Sequence, residues 1–150
     1  MKILLGIDFG TRRIGLALSD GLGLLAHPAG TLDGLSESES VRRICELITR
    51  ESVAEIIIGM PFHMNGSRGT LADDVERFGS ALANKSGLAC HYWDERLSSA
   101  AAGWLLNETG TRGKKRRAAM DAVAACVILQ SYLDHLKLPP PSKECKSTDE

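Results

Sequence analysis

The feature that most constrains this chain is a carboxylate inside an apolar strand. Ile3-Leu4-Leu5 runs into Gly6-Ile7-Asp8-Phe9-Gly10-Thr11, and a second apolar run, Ile14 to Leu18, follows at once. Taking a carboxylate out of water is costly unless a cation, a metal or hydrogen bonds compensate it. Gly6 and Gly10 leave the backbone around Asp8 bare, so a bulky group can come close. The expected visitor is a metal ion with a phosphate, the glycines supplying its clearance. The competing reading makes Asp8 a structural acid that caps the turn at Gly10-Thr11.

The hydrophobic pattern sets the frame around this stretch. Residues 3–8 and 14–19 read as an antiparallel hairpin, and Leu24 to about Leu32 as a third strand that Pro28 confines to an edge or a bulge. Asp33-Gly34 breaks the pattern. Ser36 and Glu39 form a capping-box signature, and Val41, Ile44, Cys45 and Ile48 predict a helix to about Glu51. Glu55 to Gly59 is continuously apolar after its first residue, as in a parallel strand covered on both faces. A loop over 60–67 leads to a helix over about 69–85, with Leu71, Val75, Phe78 and Leu82 on one face. Leu88 to Trp93 is a fifth strand, and Asp94-Glu95-Arg96 stands at its C-terminal end, where open α/β sheets place ligands. A helix is expected over 97–107, a mobile loop over 108–115, and a helix over 118–137 that Pro139 to Pro141 terminate. The order β-β-β-α-β-α-β-α-α predicts an α/β fold with a mixed five-stranded sheet, an antiparallel three-stranded meander followed by parallel strands, flanked by helices. This is the order a ribonuclease H-like fold requires. One domain over 1–137 and a disordered tail over 138–150 are expected.

Hydrophobic residues make up 43% of the 150 and charged residues 25%, which is ordinary for a globular chain. No apolar run approaches the roughly 20 residues that span a bilayer, and the N-terminus has no signal-peptide pattern, so no membrane partner and a cytoplasmic location are expected. Cys45, Cys90, Cys126 and Cys145 form no CxxC pair. The first three lie in apolar segments and read as small buried hydrophobes in a reducing compartment, and Cys145 as an exposed thiol. The net charge of −1 says nothing about partners, but Arg112 to Arg117 packs five cations into six residues.

Three acids project from apolar surroundings: Asp8, the Asp94-Glu95 strand end, and Asp121 beside Met120, Ala122 and Val123. Clustered carboxylates suit hard cations such as Mg2+ or Mn2+, and two such ions about 4 Å apart stabilise the attacking and leaving oxygens of a phosphodiester. Against this, Asp121 could be the N-cap of a shorter helix, and Glu95 could simply pair with Arg96.

Several blocks together, Gly6 to Gly10, Arg13-Ile14-Gly15-Leu16-Ala17, Ser19-Asp20, Ile58-Gly59-Met60-Pro61, Asn65-Gly66-Ser67, Trp93 to Ser99, and Asp121 to Ala125 with Ile128-Leu129-Gln130, resemble the YqgF/RuvX family over about residues 2–136. Its members are bacterial ribonuclease H-like proteins, described as candidate Holliday-junction resolvases and as pre-16S rRNA nucleases. The resemblance implies a metal-dependent nuclease acting in 5′-end processing of pre-16S rRNA, with ribosomal precursor particles as partners. The alternatives are resolution of branched DNA and a non-catalytic RNA-binding assembly factor. Asp8, Glu95 and Asp121 match the family's acidic triad, as catalytic and metal-binding residues. Resolvases place another acid one helical turn from the last. Here those positions are Arg117, Ala118, Ala124 and Ala125, which implies one tightly held ion and a second completed by substrate phosphate.

The substrate contacts expected are Lys114, Lys115, Arg116 and Arg117, read as a basic loop before the last helix that draws backbone phosphates toward the metal. Arg12 is expected to face solvent and substrate. Arg68 and Arg96, with Ser98, stand near strand ends. Trp93 and Trp104 read as core, and His63 and His91 have no assigned role. Asp8-Phe9-Gly10-Thr11 also resembles the first phosphate loop of actin and sugar-kinase proteins, but those need two domains and a second glycine-rich loop. A four-way junction would favour a homodimer; RNA trimming would not need one.

Overall fold

In the computed structural model, residues 2–10, 12–60, 71–94 and 113–137 are described, with side chains in the last helix described over 121–136. Strands β1 (Ile3–Phe9), β2 (Arg13–Ser19) and β3 (Ala26–Asp33) form the antiparallel meander. Helix α1 (Glu37–Glu51) leads to β4 (Val53–Met60), which pairs parallel with β1. Helix α2 (Ala72–Ser86) leads to β5 (Cys90–Asp94), parallel with β4. Helix α3 (Gly113–Lys137) closes the described chain, and the sheet order is β3-β2-β1-β4-β5. The mixed five-stranded sheet expected from the sequence is the one found.

Helices cover both faces of the sheet, which is why the inner strands are apolar on both. Strand side chains alternate between faces, so Leu5 and Ile7 of β1 pack with Val41, Ile44, Val75 and Phe78 of α1 and α2. Leu4 faces the other way, with Ala17, Ile57 and the α3 residues Ala125, Ile128, Leu129 and Leu133. Ile56, Ile57 and Ile58 are fully buried, each contributing on the order of 1.5–3 kcal/mol over exposure.

Local signals explain the boundaries. Ser36 Oγ accepts from the Glu39 N–H at 3.2 Å, as an N-cap should. The return bond of the capping box gives way to ion pairs of the Glu39 carboxylate with Arg42 and Arg43. Pro28 lies on edge strand β3, where the register slips: Leu16 pairs with Gly30 but Ala17 with Pro28. The strand begins at Ala26 rather than Leu24, because Leu24 N–H bonds the Asp20 carboxylate in the preceding turn.

The largest departure is in α3, which begins at Gly113 and not at Ala118. Lys114 to Arg117 therefore lie in its first turns and not in a loop. Lys and Arg are good helix formers, and opposing the helix dipole costs only about 0.3–1 kcal/mol. The helix expected over 97–107, the tail over 138–150, His63, Trp104 and Cys145 lie outside the described residues. Cys45, Cys90 and Cys126 are free and half-buried. The Cys90 and Cys126 thiols donate to the carbonyls of Gly79 and Ala26. Among the described residues no helix is long and apolar enough to cross a membrane.

Candidate active site

Asp8 is the penultimate residue of β1 and pairs across the hairpin with Gly15 of β2. Alternation puts residues 4, 6 and 8 of β1 and 13, 15 and 17 of β2 on the face that α3 covers. Two glycines confirm it. A Cβ on Gly6 would lie 2.7 Å from Leu129 Cβ, and a Cβ on Gly15 would lie 1.8 Å from the carbonyl oxygen of Asp121. The helix thus rests its backbone on Gly15 at the residue that carries the second acid. Opposed residues of an antiparallel pair have Cα atoms about 4.5–5.5 Å apart. Asp8 and Asp121 are brought to one place on one face with Gly15 between them.

This corrects the role expected of the glycines near Asp8. Gly6 makes room for α3, not for a ligand. Gly10 N–H donates to the Arg13 carbonyl at 2.9 Å, and a Cβ on Gly10 would lie 2.7 Å from that same oxygen. Its bareness serves the turn.

Asp121 stands eight residues inside α3, so it is not an N-cap. Its carboxylate is compensated from β2: Arg13 Nε donates to Asp121 Oδ2 at 2.6 Å, with side chains 27% and 19% exposed. A short charge-assisted bond of this kind orients both groups. Sequence reasoning missed this partner: it expected Arg12 to face solvent and substrate and gave Arg13 no role. Alternation places Arg13, Gly15 and Ala17 on one face of β2, but no local pattern sets that face opposite Asp121.

The parallel strands bring their C-terminal ends to the same edge as Asp8. Ile7 is level with Ile58, and Met60, two residues on, is level with Asp94 at the end of β5. Asp94 shares a face with Cys90 and Tyr92, whose partners lie on α2, so it alternates away from α3. Glu95 follows it in sequence and lies outside the described residues, as do Arg68, Arg96 and Ser98. Among the described residues no three metal-ligating side chains cluster; of the expected set, Asp8 and Asp121 are described and lie on the face that α3 covers.

Arg12 is exposed, and its carbonyl accepts from Gly34 N–H at 3.1 Å. Lys114, Lys115, Arg116 and Arg117 occupy the turns of α3 before Asp121. At 1.5 Å per residue, Lys114 is about 10 Å along the axis from Asp121. Trp93 is held on α3 by its Nε1 bond to Ser131 Oγ and an edge-on contact with Tyr132, so it packs as core. His91 has a structural partner that the sequence did not reveal: its Nε2 lies 3.2 Å from Glu55 Oε1.

The family model for RuvX, Holliday junction resolvase, matches residues 2–135. This chain belongs to that family. A relative from Moorella thermoacetica, by name a candidate pre-16S rRNA nuclease, is 41% identical over 133 residues, covering 89% of this chain and 95% of its own length. One of the same name from Chloroflexus aurantiacus is 36% identical over 139 residues, covering 93% and 91%. Among solved structures, RuvC of T. thermophilus in complex with a Holliday junction substrate superposes with a TM-score of 0.62 at 15% identity, covering 94% of this chain and 100% of that one. The Fowlpox virus resolvase with its Holliday junction gives 0.58 at 10% identity, covering 91% and 99%. Identities this low speak for the fold alone, and that fold is the ribonuclease H-like one. Within this RuvX chain, the Asp8–Gly15–Asp121 arrangement ties the first hairpin to the last helix.

Proposed function

We propose that this chain is a divalent-metal-dependent nuclease that hydrolyses phosphodiester bonds of structured nucleic acid, acting in 5′-end processing of pre-16S rRNA in the cytoplasm. The observation that carries the reading is the convergence of Asp8 and Asp121 on one sheet face, at the edge where β1, β4 and β5 all end. The names of the curated relatives support the substrate.

The donor set fits a hard cation. Carboxylate oxygens are the ligands that Mg2+ and Mn2+ prefer, and Asp121 already attracts a positive group, Arg13. Asp8 and Asp121 would hold the ion together with Glu95. Such an ion, when bound, acidifies water and neutralises charge developing on the phosphate. The chain's own part is positional. Asp8 is fixed by its pairing with Gly15 of β2, and Asp121 by the Gly15 contact and by Arg13. Lys114 to Arg117, with Arg12, Arg68, Arg96 and Ser98, attract the phosphate backbone in a salt-dependent way and carry no sequence preference.

The test is cleavage of a pre-16S precursor RNA and of a four-way DNA junction by the purified protein, with and without Mg2+ or Mn2+. Metal-dependent trimming of the RNA, lost in Asp8→Asn, is expected. Cleavage of the junction alone would replace this reading with resolution of branched DNA by a dimer. Tight RNA binding with no cleavage of either would leave an assembly factor.

A further inference from the structure

A concave site lies on the opposite face of the sheet from Asp8 and Asp121. It is a cleft of about 250 Å³ at the end of β1 and β2, against α1 and α2. Four of its side chains matter here: Phe9, Arg12, Ser40 and Arg77. Phe9 is half-buried, its ring backed by the fully buried Phe78 at 4.7 Å between centroids. Ser40 is only 2% exposed, and among the described residues its hydroxyl has no hydrogen-bond partner. A buried hydroxyl without a partner is costly, which marks a place where a polar ligand fits.

The charges divide the cleft. Arg77 bonds both Glu37, at 3.1 Å, and Asp74, at 3.0 Å, so two carboxylates surround one guanidinium. That wall is net negative and repels phosphate. Arg12 makes no ion pair among the described residues, and its backbone is anchored by Gly34. One rim therefore offers a guanidinium with no ion pair among the described residues, the middle an aromatic face, and the floor a hydroxyl.

We propose that this cleft binds one unpaired nucleotide of the substrate strand, its base stacked on Phe9, its edge bonded by Ser40 Oγ and its phosphate held by Arg12. The proposal rests on the nuclease reading and adds where the strand goes. Asp8 and Phe9 are consecutive and face opposite sides of the sheet. Gly10 lies about 7 Å beyond Asp8 along the strand direction. A strand whose phosphate sits at Asp8 can turn over the end of β1 and place a neighbouring nucleotide in the cleft. Such a nucleotide must be unstacked and unpaired, so the site selects a single-stranded segment beside the cleavage point.

The test is binding without metal. Amide shifts of 15N-labelled protein are followed in EDTA while a uridine tetranucleotide RNA, UMP, AMP or inorganic phosphate is added. Saturable shifts at Phe9, Gly10, Arg12 and Ser40 are expected with the tetranucleotide, and weaker ones with UMP or AMP. Arg12→Gln, at an exposed position, should weaken binding about tenfold, the loss expected for one charge-assisted bond. Ser40→Leu should fill the floor and abolish the shifts. Asp8→Asn should keep them. Shifts confined to the α3 face, an equal response to inorganic phosphate, or tighter binding of UMP than of the RNA would overturn the proposal. Cleavage lost with cleft shifts retained counts against the metal centre alone, and cleavage retained without cleft shifts counts against the cleft alone.

Discussion

The carbonyl oxygen of Asp121 occupies the space where a side chain on Gly15 would begin, 1.8 Å from the position of its Cβ. No side chain can be added there unless α3 moves off the sheet, and Asp121 would move away from Asp8 with it. Gly15→Ala is expected to destabilise the fold by about 1–3 kcal/mol, the usual cost of overpacking. Nuclease activity should fall by about a hundredfold, since a displacement near 1 Å has that effect. Urea unfolding and a cleavage assay measure the two; wild-type values in both would mean that the helix does not rest on Gly15.

Arg13 neutralises Asp121 within a partly exposed ion pair. Arg13→Gln should lower stability by about 1–2 kcal/mol, a charge-assisted bond discounted for solvent screening. Because the guanidinium competes with any other cation for Asp121, the same variant should bind Mn2+ more tightly in calorimetry. Unchanged or weaker Mn2+ affinity would separate Asp121 from the metal site.

Asp8→Asn preserves shape and removes a charge from a residue that is paired on β1. Cleavage should fall about a hundredfold or more in the presence of Mg2+, while circular dichroism stays that of the wild type. Activity within a few-fold of wild type would remove Asp8 from the chemistry.

Lys114 to Arg117 stand in the first turns of α3. Replacing all four with Gln should weaken RNA binding and flatten its dependence on salt, the slope falling by about 0.7 for each phosphate of a single strand that is no longer neutralised. Mn2+ affinity should not change. A salt slope equal to that of the wild type would show that the run is a solvated helix start.

Glu55 is held below the ordinary carboxylate range, first by its hydrogen bond from Lys2 at 2.9 Å; burial opposes the shift, and the charges of Lys2 and His91 add to it. A depressed folded-state value means a stabilising contribution that is full above the ordinary glutamate value of about 4.5 and lost as pH falls through the lower folded value. Glu55→Gln should lower the neutral plateau of the urea midpoint and make its acid limb shallower, the two curves converging at low pH. An identical acid limb would mean that the contact is too exposed to count.

Much of the fold was legible because its signals are local. The capping serine at Ser36, the Pro28 edge strand and the apolar Ile56-Ile57-Ile58 run are each read from neighbouring residues, and each forms as expected. The start of α3 was misread for the converse reason. A basic run looks like a loop when its charge is weighed alone, yet its residues favour helix. Asp8 and Asp121 stood out as acids in apolar segments. What compensates Asp121 could not be read the same way, because Arg13 is 108 residues distant in sequence.

The sequence by itself determined which segments become strands and helices, the family to which the chain belongs, and which acids are out of place in them. Those properties follow from side-chain periodicity and local backbone preference. Only the tertiary structure decided what the glycines are for and which cation serves which acid. Gly6 and Gly15 are spaces for α3, and Arg13 reaches Asp121. Such assignments depend on the separation between a helix and a sheet that packing alone sets, and no local pattern records that distance.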